Sequence, residues 1–125
     1  MEIERINPDN IWPAPGYTHV VKAGNTIYIA GQVGRSPDGT TAGTDIESQT
    51  EQVFKNLVSA LNSVNAGLKD LVKTMVYLTD ASDLPGFMTV KNRYLISDLP
   101  AQTVVIVAFG SPEFKVEVEA IAVVS

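Results

Sequence analysis

The 125-residue chain contains no cysteine, which excludes disulfide bridges, thiolate metal sites and thiol nucleophiles. Its single histidine, His19, cannot build a zinc or iron site without further ligands, and a Ser-His-Asp triad would have to use that same residue. No run of roughly 18 uncharged apolar residues is present, so no membrane-spanning segment is expected. The acidic segment Met1 to Arg5 lacks the apolar stretch of a signal peptide. These absences predict a cytoplasmic protein that works without a metal or cofactor.

Positive charge is also scarce. Nine Lys and Arg residues face 14 Asp and Glu residues, which leaves a net charge of −5, and the pI is about 4.7. This balance opposes any electrostatic hold on phosphate backbones, so a nucleic-acid partner is not expected. The hydrophobic fraction of 45% excludes intrinsic disorder and predicts one folded domain over residues 1–125. It is high for a small monomer and predicts apolar surface hidden between subunits.

The N-terminal third predicts strands and loops. Prolines and a glycine make residues 1–17 an irregular lead-in without a helix. Apolar and β-branched residues on either side of Gly24-Asn25 predict a hairpin that pairs residues 19–22 with residues 26–30. Turn formers from Gly31 to Gly39 predict a loop.

The stretch from Asp45 to Ala66 carries the clearest helical pattern. Apolar residues and one threonine recur at three- and four-residue spacing, at Ile46, Thr50, Val53, Phe54, Leu57, Leu61 and Val64. Thr44 and Glu47 match a capping box, and Gly67 is placed to end the helix.

The remaining chain predicts a strand, a helix and two more strands. Residues 71–79 alternate, with Val72, Thr74, Val76 and Leu78 on one face. A helix is expected from Ser82 or Asp83 to about Ile96, followed by strands over 104–109 and 115–124. The order ββ-α-β-α-ββ predicts an α+β domain whose mixed sheet has both helices on one face. Its other face is then uncovered yet apolar, which predicts oligomerisation in a closed ring.

Several segments together resemble the Rid family of reactive-intermediate deaminases, also called RidA/YjgF or L-PSP endoribonuclease. They are Pro15 to His19, Ile29 to Gln32, Ala66 to Lys73, Phe87 to Tyr94, Leu99 to Ala101 and Val116 to Val123. The resemblance implies a chorismate-mutase-like fold and a homotrimer with small-molecule pockets between subunits. It also implies hydrolysis of the enamines and imines left by pyridoxal-phosphate enzymes.

The family's active-site residues match only in part. Where the family has an arginine that binds the substrate carboxylate, this chain has Gln102, and a neutral amide cannot replace a bidentate guanidinium. The family's cysteine is replaced by Val104, its serine or threonine before Gly-Gln by Ala30, and its helix asparagine by Lys91. Tyr17 and Glu119 match.

These correspondences define the candidate site. Glu119 is the expected general acid or base, and Tyr17 a pocket wall or hydroxyl donor. The expected substrate-binding residues are Gln102, Ala30, Gly31, Lys91, Thr103 and Val104. Four of these residues also have a structural interpretation: Glu119 as an interface ion pair, Tyr17 as an aromatic anchor, Gly31 as a site of close strand packing, and Gln102 as a strand-start residue bonded to backbone. Lys91, Arg35 and Arg93 are either replacements for the missing cation or solvated charges.

Two classes of function follow. The first is metal-free hydrolytic deamination of a small enamine or imine, other than the usual 2-imino acid because the arginine is absent. The second is a non-catalytic trimer that binds a small molecule or a partner. An endoribonuclease conflicts with the acidic pI and the single histidine.

Overall fold

The computed structural model describes all 125 residues, Met1–Ser125, as one six-stranded sheet with two helices. The strands are β1 (Ile3–Ile6), β2 (Val20–Ala23), β3 (Thr26–Val33), β4 (Leu71–Leu78), β5 (Ala101–Ile106) and β6 (Val116–Val123). The helices are α1 (Ile46–Asn62) and α2 (Leu84–Tyr94), and short 3-10 turns cover 68–70 and 81–83. The predicted mixed α+β architecture is confirmed.

The sheet order is β1-β2-β3-β6-β4-β5. All neighbours are antiparallel except β4 and β5, which run parallel because α2 connects them. The two helices pack together through Phe54 of α1, whose ring stacks on Tyr94 of α2 with centroids 5.0 Å apart. Both helices cover the same sheet face, where the alternate residues of β6, from Val116 to Ala122, are buried.

The apolar stripe predicted for α1 is buried throughout, but both ends of the helix differ from the prediction. The N-cap is Asp45, whose carboxylate accepts the Ser48 N–H at 2.9 Å, so the capping box expected from Thr44 and Glu47 is wrong. The helix ends near Asn62 rather than Ala66. Asn65, at φ 57°, is the left-handed residue that Gly67 was expected to be, and the Ala66 N–H donates back to Leu61.

The strands also correct several boundaries. Residues 3–6 form edge strand β1 and not an irregular lead-in, because their backbone pairs with β2 although their side chains are mostly exposed. β3 continues to Val33 through residues expected to be a loop. β5 begins at Ala101 rather than 104, and α2 ends at Tyr94 rather than about Ile96.

A bulge at the start of β4 changes which residue enters the core. The register with β6 shifts between Leu71 and Lys73, which buries Leu71 and leaves Val72 46% exposed. Val72 was expected on the buried face. Thr74, Val76 and Leu78 lie there as predicted.

The sheet face opposite the helices, called the open face below, carries no covering element of this chain. Tyr28 of β3 and Val123 of β6 are 49% and 45% exposed, and the neighbouring Ile121 and Met75 are half-buried. No helix in the structure has the length and apolarity to cross a membrane.

Candidate functional site

Glu119 lies near the middle of β6 and points to the open face, because its neighbours Val118 and Ala120 enter the core. Met75 of β4 is its register partner, and the hydroxyl of Tyr77 donates a hydrogen bond to its carboxylate. That bond raises the pKa of Tyr77, with burial adding to the effect, so the phenol keeps its proton. Glu119 itself is exposed and has no cationic partner within the chain, so its carboxylate is available to a ligand.

Glu117 lies two residues earlier on the same face and is half-buried. Burial raises the pKa of its carboxyl, and the negative charge of Glu119 raises it further. The open face thus holds an exposed carboxylate beside a second carboxyl that keeps its proton to higher pH.

Ala30 and Gly31 occupy a bulge of β3 beside this pair. The register passes from Ile29, opposite Ala120, to Gln32, opposite Val118, which leaves Ala30 and Gly31 unpaired at the level of Glu119. A Cβ atom at Gly31 would lie 2.6 Å from the Oε2 atom of Glu117. A Cβ atom here would push the Glu117 side chain aside, so glycine permits close packing against Glu117.

His19 is a structural residue. It is 5% exposed; its Nε2 atom lies 2.8 Å from the Trp12 carbonyl, to which it donates, and Gln32 Nε2 donates to its Nδ1 atom at 3.0 Å. Both ring nitrogens are thus occupied within the chain, which leaves none for catalysis. Tyr17 meets this imidazole edge-on, with ring centroids 5.8 Å apart, and its side chain is 53% exposed.

A half-enclosed cavity of about 70 Å³ lies between the proline-rich segment, β3 and α1. Tyr17, His19, Gly31, Gln32 and Arg35 are among its lining residues. The structure therefore brings Tyr17 and Gly31 to one cavity, and Gly31 is also the residue that touches Glu117 on the open face.

The three candidates on β5 lie on two different faces. Gln102 is the register partner of Thr74 and lies on the helix side, with its Nε2 atom 4.0 Å from the Met88 sulfur, and Val104 packs against the core on that side. Thr103 points to the open face, where its hydroxyl accepts a hydrogen bond from Lys73 Nζ at 3.2 Å. Strand alternation thus separates Gln102 from Glu119 within one chain.

Lys91 is also on the helix side and is only 8% exposed. Its ammonium donates no hydrogen bond and forms no ion pair within the chain, and its nitrogen is not one of the fully buried atoms, so the charged end reaches solvent while the stem is buried. Arg93, in contrast, is exposed and lies 3.9 Å from Glu51. Lys91 is therefore the cation of α2 that is available to a ligand from outside the chain.

Sequence reasoning missed Tyr77 as a site residue. Alternation along β4 places it on the same face as Lys73 and Met75, but its contact with Glu119 depends on the pairing of β4 with β6. Two strands separated by a helix and another strand carry no local signal for that pairing. Nowhere in the chain do three or more His, Cys, Asp or Glu side chains come together in a way that could hold a metal ion.

Comparison with known proteins places this geometry in context. The family model described as endoribonuclease L-PSP matches residues 8–124. A RutC family protein of Pyrococcus abyssi is 35% identical over 111 residues, which cover 88% of this chain and 87% of that protein. The 2-iminobutanoate/2-iminopropanoate deaminase of Mus musculus is 34% identical over 108 residues, which cover 86% and 80%. The crystal structure of RidA from the Antarctic bacterium Psychrobacter sp. has a TM-score of 0.91 and 35% identity, covering 97% and 99% of the two chains.

Proposed function

The chain belongs to the Rid family, whose model is described as endoribonuclease L-PSP, and from this premise we propose that it hydrolyses a small enamine or imine and releases ammonia. The observation that carries the proposal is the Glu119 carboxylate. It is exposed on the open face, held by the Tyr77 hydroxyl and free of any cation in its own chain. A relative of similar length is named as a deaminase of two short imino acids, which supports this class of reaction.

The active site is assembled from two chains of a homotrimer. One chain contributes Glu119, Tyr17, Ala30 and Gly31, and its neighbour contributes residues around β5 and α2, namely Gln102, Thr103, Val104 and Lys91. Two observations support this arrangement. The open face exposes Tyr28 and Val123 without a cover, and the β5 candidates on the helix side are separated from Glu119 within one chain.

The chemistry requires a base and a proton donor. Glu119 takes a proton from water as the water oxygen attacks the imine carbon, and returns it to the nitrogen, which gives a carbinolamine. Glu119 then takes the hydroxyl proton and passes it to the nitrogen, so that the C–N bond breaks, a carbonyl forms and ammonia leaves. Backbone groups near Gln102 to Val104 of the neighbouring chain hold the water, and the Tyr17 hydroxyl donates toward the substrate. This route uses no metal and no cofactor.

Gln102 determines which substrates the site does not favour. It stands where the family has an arginine, and the hydrogen bond of its amide within the chain goes to the Met88 sulfur, at 4.0 Å. An amide offers one donor group and one acceptor to a ligand but no charge. We therefore expect the preferred substrate to differ from the usual 2-imino acids, whose carboxylate needs a bidentate guanidinium at this position.

A coupled assay tests the proposal. A pyridoxal-phosphate enzyme generates imines, and their loss is followed with and without the protein. Wild type accelerates the loss, and Glu119→Gln, which keeps the shape but removes the proton acceptor, lowers the rate by roughly 10²–10⁴-fold. Glu4→Gln, the same change on exposed strand β1, leaves it unchanged.

The alternative function is a non-catalytic trimer that binds a small molecule or a partner through the same pocket. The replacement of the arginine by Gln102 favours it, because the pocket then keeps a polar side chain at this position but loses the positive charge that binds a carboxylate. It predicts no acceleration with any imine and a binding site that Glu119→Gln leaves in place. A ribonuclease is not proposed, because a net charge of −5 opposes the binding of a phosphate backbone.

A further inference from the structure

Glu119 has two possible partners on the neighbouring strand β4. Its register partner there is Met75, and on the same open face Tyr77 and Lys73 lie two residues away in opposite directions along the strand. Diagonal neighbours of this kind on antiparallel strands are about 7–8 Å apart, within reach of a tyrosine or lysine side chain. Glu119 is therefore placed either to accept a hydrogen bond from the phenol or to form an ion pair with the ammonium.

The structure shows the first of these two contacts. The Tyr77 hydroxyl donates to the Oε1 atom of Glu119. This hydrogen bond, with burial adding to its effect, raises the pKa of Tyr77, so the phenol stays protonated and remains a donor at neutral pH. The bond occupies one carboxylate oxygen of Glu119 and leaves the other without a partner in the chain.

Lys73 is directed to the opposite side, toward β5. Its Nζ atom donates to Thr103 Oγ1 at 3.2 Å and forms no ion pair in the chain. Lys73 and Glu119 nevertheless line the same shallow pocket of about 160 Å³ on the open face, between Met75 and Ile121. No other charged side chain lines this pocket, so Lys73 is the cation that would pair with Glu119 if its carboxylate were free to turn.

An ion pair with Lys73 would impair Glu119 as a base. An ammonium beside a carboxylate favours the charged form and so opposes the uptake of a proton. Such a pair at an exposed position changes an equilibrium by up to about 5-fold. An exposed glutamate also has several side-chain rotamers, so a carboxylate without a fixed partner spends less time where the attacking water is bound.

We propose that Tyr77 is a positioning residue for Glu119: its hydroxyl fixes the carboxylate and holds it away from Lys73, whose ammonium is retained by Thr103. Tyr77 acts through Glu119 and needs no contact of its own with the substrate. Its role in catalysis rests on the proposed function, whereas its effect on the contact between Lys73 and Glu119 does not.

Steady-state kinetics of wild type, Tyr77→Phe, Lys73→Met and the double variant test the proposal, with the imine that wild type hydrolyses fastest in the coupled assay. Tyr77→Phe should lower kcat about 10-fold with little change in KM, because the base is misplaced while the rest of the site is kept. Lys73→Met should change kcat by less than about twofold in wild type, where the ammonium does not touch Glu119. In the Tyr77→Phe protein the same change should raise kcat by about 3- to 5-fold. A merely structural role for Tyr77 would not produce recovery on removal of a lysine.

A second measurement needs no substrate. In protein labelled with ¹³C at the glutamate Cδ atoms, the Glu119 signal is assigned by its loss in Glu119→Gln. At pH 7 this signal should respond to Lys73→Met when residue 77 is phenylalanine and stay in place when it is tyrosine, because Lys73 then bonds to Thr103. An equal response in both backgrounds, or none in either, would overturn the proposal, because Tyr77 would then not control the contact.

Tyr28→Phe is the matched control. It removes a phenol hydroxyl from the same open face, where Tyr28 of β3 is 49% exposed and has Ile121, not Glu119, as its register partner. It should leave both kcat and the Glu119 signal unchanged. Wild-type kcat in Tyr77→Phe, or a loss that Lys73→Met does not relieve, would refute the positioning role. The expected response of the Glu119 signal in a protein that hydrolyses no imine would refute the proposed function and leave the restraint of Glu119 by Tyr77 standing.

Discussion

Replacement of Gly31 by alanine should destabilise the protein through one contact, with the Glu117 side chain. A Cβ atom at position 31 would lie 2.6 Å from Oε2, 2.7 Å from Cδ and 2.9 Å from Cγ of Glu117. Gly31 is not among the residues with positive φ, so alanine can adopt its backbone conformation without strain. The effect of the substitution therefore reports on packing in the β3 bulge.

The size of the effect follows from these distances. Carbon atoms prefer to be about 3.5–4.0 Å apart, so the half-buried Glu117 side chain must move by roughly 1 Å. Overpacking of a core costs about 1–3 kcal/mol of unfolding free energy, and because Glu117 is only half-buried and its side chain can turn aside, we expect a cost of about 1 kcal/mol. In a Glu117→Ala background the obstructing atoms are absent, and the same change should cost less than about 0.5 kcal/mol.

Urea unfolding at one fixed protein concentration measures the four proteins of this double-mutant cycle. Gly67→Ala is the control, because a Cβ there meets nothing within 4 Å and its φ is −143°; it should be neutral or slightly stabilising. An equal cost of Gly31→Ala in both backgrounds would refute the reasoning, because the strain would then lie in the backbone and not in the contact.

Substitutions at four other positions test separate features. Glu117→Gln should raise the unfolding free energy at neutral pH, because the raised pKa of Glu117 means that the folded protein binds this proton more tightly than the unfolded chain. The gain should disappear below about pH 4.3, where the carboxyl is protonated in both states, and urea midpoints measured at a series of pH values test this. One phenol should titrate by ultraviolet absorbance near pH 12 and disappear in Tyr94→Phe, because burial, aided by a hydrogen bond to a carboxylate, raises the pKa of Tyr94 to about 12. Asp45→Ala should lower the urea midpoint, whereas Asp45→Asn, which keeps the capping oxygen, should not. Gln102→Arg should improve turnover of 2-iminobutyrate-like acids by about 10- to 100-fold, and no gain would mean that position 102 does not face the substrate.

Local patterns were sufficient for most of the secondary structure. The stripe on α1 was predicted and is buried residue by residue, and alternation placed Thr74, Val76 and Leu78 together on one face of β4, which is buried. Both patterns depend only on the 3.6-residue and two-residue periods of the backbone, which hold whatever the chain packs against. The errors lie where a non-local contact decides: β1 is a strand only because β2 pairs with it, and Val72 is exposed only because of a bulge.

Buried polar residues show the same limit. Gln49 is fully buried on α1, and its amide donates to the Glu113 carbonyl at 2.8 Å and accepts the Lys115 N–H at 2.8 Å. Nothing in its sequence neighbourhood distinguishes it from an exposed glutamine, because both partners lie more than 60 residues away along the chain. Arg35 is comparable, since its proximity to Phe114 depends on how two loops meet.

The sequence by itself determined the helices, most strands, the family and the residue types available for chemistry: one exposed central carboxylate at Glu119, a glutamine at position 102 and no cysteine. Only the tertiary structure decided which of them meet. It brought Tyr77 to Glu119, Glu117 to Gly31, and Arg35 to the cavity beside Tyr17, and it separated Gln102 from Glu119. The reason is physical: periodicity sets the face on which a side chain lies, whereas strand order and register set its neighbours, and these depend on the packing of the whole chain.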